Sequence, residues 1–467
     1  MADEFDVIVI GAGPPGENAA GRCAEGGLST AIVEERLVGG ECSYYACIPS
    51  KTMIRPGDVV AAAKRVPGAA EAVTGTIDVE AALAQRDYMV SDWDDTKSSG
   101  AVPWLESTGI ELFRGRGRLA GPKTVEVEGL DDATRKIAAR KGVVMACGST
   151  PVVPAIDGLA DASPWTNREA TTVKEIPRRL IVLGGGPVGC ELAQAFRRLG
   201  CEEVTVVEGA PRLLSRNEPF AGEEVRAAFE EEGITVLVDV KMTAVERAPD
   251  GAVTATLDGG KTITGDEILV AVGRRPNTGD VGLDKVGLGD LAGKYLSVDR
   301  QLRVEGGDGW LYAVGDANGV APLTHMGKYQ GRLVGDVILG KDVEDVADYD
   351  RVPQVIFTDP QVTAVGLTEQ AAREKGIDVK VVSTGTGNVA GAYTLGNDIT
   401  GTCQLVIDES RRVIVGATFT GPGVAELLHS ATIAVVGEVP LDTLWHAVPS
   451  FPTVSEVWLR LLEAYGL

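Results

Sequence analysis

Twice along this chain a short apolar run breaks into three spaced glycines and continues as a helix-forming stretch. Residues 6–10 lead into Gly11-Ala-Gly13-Pro-Pro-Gly16, then a helical stretch 17–25, then a second apolar run 28–33 ending at Glu34. Residues 179–183 lead into Gly184-Gly-Gly186-Pro-Val-Gly189, then a helical stretch 190–199, then a run 204–207 ending at Glu208. Strand, glycine turn, helix, strand and acid, in that order, is what a dinucleotide-binding unit requires. The glycines let the backbone approach a pyrophosphate at a helix N-terminus, and the acid accepts from ribose hydroxyls. One such glycine pattern is weak; two, each in full context, predict two nucleotides meeting in one α/β chain. Glu208 favours the 2′-hydroxyl of NAD over the 2′-phosphate of NADP, although Arg212 and Arg216 follow closely.

The remaining stretches are placed around these two units. Residues 52–110 read as mostly helical, with a polar break at 92–100, and 110–127 alternates like strands around Gly115 and Gly117. A strand at 142–147 ends in a turn at Gly148. Pro151, Pro154 and Pro164 mark a connection to the second unit, which closes with a strand and a turn at Gly273. A strand at 310–314 has Asp316 just past its end, at the edge where open parallel sheets bind ligands. Beyond Asp350, runs at 355–357, 362–365, 379–382, 404–407 and 413–418 read as strands, with helices at 425–436 and 454–464. This predicts a separate α+β domain whose apolar tail suits an interface. The expected divisions are 1–150 with 275–347, 151–274, and 348–467.

Composition excludes several classes. A formal charge of −23 repels nucleic acid. No apolar run approaches the ~20 residues of a membrane span. Residues 1–5 lack a basic region and lead straight into a strand, so a cytoplasmic chain is expected. Three histidines, and cysteines without ligand spacing, leave no expected metal site.

Residues 39–51 read Gly-Gly-Glu-Cys-Ser-Tyr-Tyr-Ala-Cys-Ile-Pro-Ser-Lys. A continuous helix would hold Cys42 and Cys47 roughly 8–9 Å apart, beyond the reach of a disulfide at about 4.4–6.8 Å. Pairing therefore needs a bend, which Gly39 and Gly40 permit. Lys51 falls one turn after Cys47, and an ammonium there favours a thiolate. Taken alone, the spacing leaves two readings open: a redox pair or two packed thiols.

With these motifs placed, the chain resembles the FAD-dependent pyridine nucleotide–disulfide oxidoreductases over nearly its whole length. The carriers are Gly11-x-Gly13-x-x-Gly16, the stretch from Gly39-Gly40 to Lys51, Ala146-x-Gly148, 184–191, Gly273-Arg-x-Pro276, Gly315-Asp316, Leu323-Thr324-His325 and Pro452-Thr453-x-Ser455-Glu456. The resemblance implies two Rossmann-like domains, one for FAD and one for NAD(H), with NADP(H) the lesser expectation. A C-terminal domain would join a homodimer. It implies Glu34 on the FAD ribose, Asp316 on the ribityl chain, and Lys51 with Glu191 beside the flavin. Cys47 would be the thiolate against the flavin, and Cys42 the outer, interchange thiol. Electrons would pass from NADH through the flavin to Cys42–Cys47, and from dithiol or flavin to a second substrate.

Departures narrow the activity. The family's disulfide reductases carry a His before Pro-Thr near the C-terminus, as base for the other subunit's interchange thiol; here Phe451 stands there, and Glu456 loses the residue it would orient. A positioned base contributes about 10²–10⁴-fold, so poor turnover on disulfides is expected. His446, five residues upstream, is a candidate substitute. Tyr44 and Tyr45 stand where the family has small or amide residues, either packing or lining an aromatic pocket. Pro187, Glu41 and Cys147 also depart from the pattern, and no cysteine pair near the C-terminus supports mercury reduction. The expected function is an NADH-dependent FAD enzyme reducing a quinone or other small electrophile. The alternatives are lipoamide or low-molecular-weight disulfide reduction with a non-standard base, and a flavin-bound docking subunit of a larger complex.

Overall fold

The computed structural model describes residues 3–130 and 133–467, which form two compact units. Met1 and Ala2, where the reading of the N-terminus begins, lie outside the described residues.

The first unit gathers the chain up to Pro49, Ala84–Val152 and Gly273–Ala347. Its central strand, Asp3–Ile10, pairs in parallel with Thr30–Glu34 on one side and Thr134–Met145 on the other. Glu111–Gly121 and Leu311–Ala313 extend the sheet outward, again in parallel. Register aligns Ile10 with Val33 and Met145, and Met145 with Ala313. Four strands therefore stop at one edge, and the motif residues follow from their ends. The central strand is apolar on both faces because both are covered. Val7 and Val9 pack with Ala19 and Cys23 of helix Pro14–Glu25 and Val334 and Ile338 of helix Thr324–Ile338. Ile8 and Ile10 face Phe113, Val125 and Val127 of an antiparallel extension, Glu111–Gly121 with Thr124–Gly129.

The second unit comprises Ser50–Leu83, Val153–Val272 and Asp348–Leu467. It repeats the design in a four-stranded parallel sheet, in the order Glu267–Val270, Arg179–Leu183, Glu203–Glu208, Thr235–Val238. Leu183 aligns with Val207 and Val270, so these ends also share an edge. Helices Pro14–Glu25 and Pro187–Arg198 both begin with proline, whose fixed φ and missing N–H cost nothing in a first turn. Two further sheets complete the unit. Met242–Arg247, Val253–Leu257 and Thr262–Gly265 form an antiparallel meander absent from the sequence reading. The C-terminal strands form an antiparallel sheet in the order Gln354–Ile356, Gln361–Gly366, Val413–Gly421, Thr402–Asp408, Val379–Gly385. All nine residues of Val413–Gly421 are buried, and Phe419 meets Trp458 of helix Val457–Tyr465 edge-on at 5.9 Å.

The α/β class with an α+β C-terminal domain is as expected. Local boundaries differ: the helix read at 425–436 is a short turn, Val424–Glu426, followed by Leu428–Val436. Among the described residues no helix is long and apolar enough to cross a membrane.

Candidate functional site

At the first unit's sheet edge, the three glycines have separate jobs. Gly11 has φ +101°, and a Cβ there would strike the Ala146 carbonyl; a Cβ on Gly16 would strike the Gly11 carbonyl. These two seat helix against strand. Gly13 is different, because its Cβ direction is open, with only Pro15 Cδ at 3.9 Å. Glu34 closes the loop, one oxygen accepting from Ala12 N at 2.8 Å and the other from Arg36 N at 2.9 Å. Burial pushes its carboxyl up, and those two backbone bonds oppose the rise. Ser149 Oγ donates to Asp316 and accepts from Arg274 Nε at 2.7 Å, so Gly148 and Gly273 flank one polar relay.

The second fingerprint has the same construction. Glu208 accepts from Gly185 N at 2.6 Å and Ala210 N at 2.7 Å. A Cβ on Gly184 or Gly189 would strike a backbone carbonyl, while nothing lies within 4 Å of that direction at Gly186. In both loops the middle glycine faces space that a side chain would fill. Each acid, with two lone pairs per oxygen, keeps acceptor capacity for ribose hydroxyls. The residues present therefore fit a dinucleotide at each edge. Arg212 Nη2 donates to the carbonyls of Ser215 at 2.8 Å and Asn217 at 3.1 Å.

The cysteine stretch bends as pairing requires. Helix Gly40–Tyr44 stops at Tyr45 (φ −134°, ψ 0°), and helix Cys47–Lys64 begins two residues later. Gly39 at φ +118° starts this motif, and a Cβ on Gly40 would come within 2.8 Å of Gly13 Cα. The cysteines are thus laid against the first glycine loop. Both are thiols here. A hydrogen bond with the Cys47 thiol, then burial, raises Cys42 well above the ordinary thiol range, while Thr324 and Lys328 pull it down. Cys47 Sγ lies 3.5 Å from Thr324 Oγ1, which opens helix Thr324–Ile338. Tyr44 is 4% exposed, and the half-buried Tyr45 ring is 6.4 Å away.

In the second unit Lys51 Nζ meets Glu191 Oε2 at 2.5 Å, and its ammonium lies 5.0 Å from the Phe357 ring centroid. The other Glu191 oxygen accepts from Phe357 N at 2.9 Å. Glu456 reaches the N–H of Gly391 at 3.4 Å. Phe451 is 75% exposed, and His446 is exposed beyond the end of helix Leu441–Leu444.

Two residues that the sequence reading passed over interact electrostatically with each other in the first unit. Lys328 is the ammonium that acts on Cys42. Glu17, in the first turn of helix Pro14–Glu25, is pushed up to about 7 by burial, against the pull of Lys328. The available signals were an acid directly after the third glycine, and a lysine one turn beyond Thr324.

Comparison with known proteins shows the family to which the chain belongs. The profile described as pyridine nucleotide-disulphide oxidoreductase fits residues 5–331, and that family's dimerisation domain fits residues 352–461. A dihydrolipoyl dehydrogenase of Chlamydia muridarum is 32% identical over 98% of this chain and 96% of its own. A mercuric reductase of Staphylococcus aureus is 30% identical over 97% of this chain and 81% of its own. Among solved structures, LpdA of Mycobacterium tuberculosis superposes with a TM-score of 0.86 at 24% identity over 100% of both chains. The HOCl-induced flavoprotein disulfide reductase RclA of Escherichia coli does so at 0.85, with 22% identity over 98% and 99%. These last two likenesses are of fold.

Proposed function

The chain belongs to the pyridine nucleotide-disulphide oxidoreductase family, and we propose that it is the NADH-dependent FAD enzyme of that family whose Cys42–Cys47 pair delivers electrons to a quinone or another small electrophile. The carrying observation is the bent Cys42–Cys47 stretch seated on the first glycine loop, together with Phe451 where the family's disulfide reductases place a base. FAD, when bound, supplies the two-electron carrier between nicotinamide and dithiol.

The chain's own groups do the rest. Gly11, Gly13 and Gly16 form the turn under the FAD pyrophosphate, with Gly40 beside Gly13. Glu34 and Asp316 hold the FAD sugar and ribityl hydroxyls, with Gly148, Gly273 and Thr324 at the same edge. Gly184, Gly186, Gly189 and Glu208 hold NADH, with Glu208 disfavouring a 2′-phosphate. Lys51, fixed by Glu191, presents an ammonium to the flavin. Cys42 meets the acceptor and Cys47 faces the cofactor. The domains we assign are 1–150 with 275–347 for FAD, 151–274 for NADH and 348–467, the last joining two copies in a cytoplasmic homodimer, where paired cysteines stay reducible.

A second reading is reduction of lipoamide or another small disulfide with a non-standard base, and it is favoured by the 32% identity over 98% of this chain to a dihydrolipoyl dehydrogenase. Steady-state kcat/KM values for a benzoquinone and for lipoamide, with NADH as donor, separate the two. The quinone is expected to exceed lipoamide by about 10²-fold or more, the loss that follows from a missing base. Equal values would overturn the first reading in favour of the second.

A further inference from the structure

A disulfide closes readily only between sulfurs that are already held close, and Cys42 sits on a helix of five residues, Gly40–Tyr44. A helix so short does not hold itself, because its first turn fixes many dihedrals for few bonds. Within the first unit a segment far along the chain grips it at both ends. Asp95, 4% exposed, accepts from Val38 N at 2.7 Å, just ahead of the helix. Trp93 Nε1 donates to the Tyr44 carbonyl at 3.1 Å, where the helix stops. In an unbroken helix a carbonyl accepts from the N–H four residues on; at the bend between the cysteines an indole N–H serves it. The Tyr44 ring adds a third hold, since a Cβ on Gly39 would come within 2.8 Å of Tyr44 Cε2.

The mount of Trp93 is built at a steric cost. Ser91, Asp92 and Trp93 have φ +53°, +51° and +56°, three consecutive non-glycine residues in the left-handed region. Such backbone persists only where its surroundings over-determine it, and it gathers at functional sites. Trp93 N donates to the Val90 carbonyl at 2.9 Å, and Ser91 Oγ lies 2.9 Å from Ser99 Oγ. The guanidinium of Arg86, 0% exposed, lies 5.3 Å from the Trp93 ring centroid, and its Nε donates to Asp87 at 2.8 Å. At the other grip, Arg114 donates to Asp95 at 2.8 Å. A polar break at 92–100 is all that the sequence shows of this segment.

We propose that Trp93 is a positioning residue for the cysteine pair: with Asp95 it clamps helix Gly40–Tyr44 so that Cys42 stays beside Cys47, and it thereby sets the balance between dithiol and disulfide. This rests on the redox-active reading of the pair. Cys47 has its own holds, the helix it opens and Thr324 Oγ1 at 3.5 Å; Cys42 has the clamp. From the two thiols present here, closure breaks two S–H bonds and forms one S–S bond. Two electrons and two protons leave to the acceptor, as when a quinone becomes a hydroquinone. Once closed, the pair is held by the S–S bond itself. The open pair is held by the clamp, so losing the clamp frees the dithiol form and favours it.

The test equilibrates FAD-loaded enzyme anaerobically with graded ratios of reduced and oxidised dithiothreitol, then quenches in acid, alkylates and reads the Cys42 and Cys47 peptides by mass. Each exchange moves two electrons and two protons between the cysteines and the reagent. W93F keeps an aromatic ring beside the Arg86 guanidinium and loses the N–H. Its closure constant is expected to fall about three- to tenfold, the worth of one hydrogen bond, which raises the midpoint potential by about 15–30 mV. Enzyme carrying 3-benzothienylalanine in place of Trp93 keeps the indole's shape with sulfur for the N–H, and its constant should fall by the same factor. Asp408→Asn, in the C-terminal sheet, lowers the melting temperature and leaves the constant unchanged, which separates the clamp from general stability. A native closure constant in either Trp93 variant overturns the proposal, as does a shift in Asp408→Asn equal to theirs. Native enzyme that forms no Cys42–Cys47 disulfide at any ratio contradicts the redox reading itself.

Discussion

Glu191 spends both carboxylate oxygens, one on Lys51 and one on the Phe357 N–H, and its residue is 5% exposed. Such a pair is more costly to break than to replace, because one partner alone leaves a buried charge unmatched. Lys51→Met is therefore expected to lower stability, by less than the ~3–5 kcal/mol of a fully buried pair because the Lys51 side chain is 36% exposed, and the double variant with Glu191→Gln to recover part of the loss, since the amide oxygen still accepts from Phe357. Thermal melts of the FAD-loaded enzymes check this; a double variant less stable than Lys51→Met would contradict it. At this scale the sequence carried much of the placement. Glu34 and Glu208 were legible as strand-end acids after a glycine turn. Their double use was not, because each also clasps the N–H of the residue after the first glycine, which only the folded loop reveals. The seam between helices Pro14–Glu25 and Thr324–Ile338 was illegible for a related reason: its two sides lie some 300 residues apart in sequence.

Among elements, long parallel strands read clearly because burial on both faces leaves unbroken apolar runs. The meander over Met242–Gly265 did not, since its strands are short and carry threonines among small apolar residues; the turn residues Pro249-Asp250-Gly251 were its best signal. Strands Thr402–Asp408 and Val413–Gly421 were read as strands over 404–407 and 413–418, and the hairpin turn that joins them is held by one acid. Asp408 accepts from Ser410 N at 2.9 Å, Ser410 Oγ at 2.6 Å, Arg411 N at 3.0 Å and Arg411 Nε at 2.8 Å. Burial pushes this carboxyl up, but the Ser410 and Arg411 bonds outweigh it and hold it at about 2. A depressed carboxylate contributes stability that is present above its unfolded value of 3.8 and is lost as pH falls through about 2. Asp408→Asn should thus melt several degrees lower than the native enzyme near neutrality, with the gap closing in acid. A gap that widens on acidification would contradict this sign.

For the whole molecule, a formal charge of −23 makes self-repulsion a standing cost. Raising salt from about 0.01 M to about 0.15 M shortens the screening length from about 30 to about 8 Å, so melting temperature is expected to rise with sodium chloride over that range. A fall would mean that the surface ion pairs outweigh the repulsion. The apolar C-terminal tail, read from sequence as interface, leaves Ile433 57%, Val448 83% and Phe451 75% exposed in the single chain. Burial of such residues in a second copy is the expected dimer, and sedimentation at the mass of one chain would contradict it.

The account turns on whether Cys42 and Cys47 accept electrons. Anaerobic titration of the FAD-loaded enzyme with NADH, followed by absorbance, tests this most directly. A long-wavelength band should grow to its maximum at two electrons and be missing in Cys47→Ser. Bleaching of the flavin without that band in the native enzyme would make the cysteines bystanders and contradict the account.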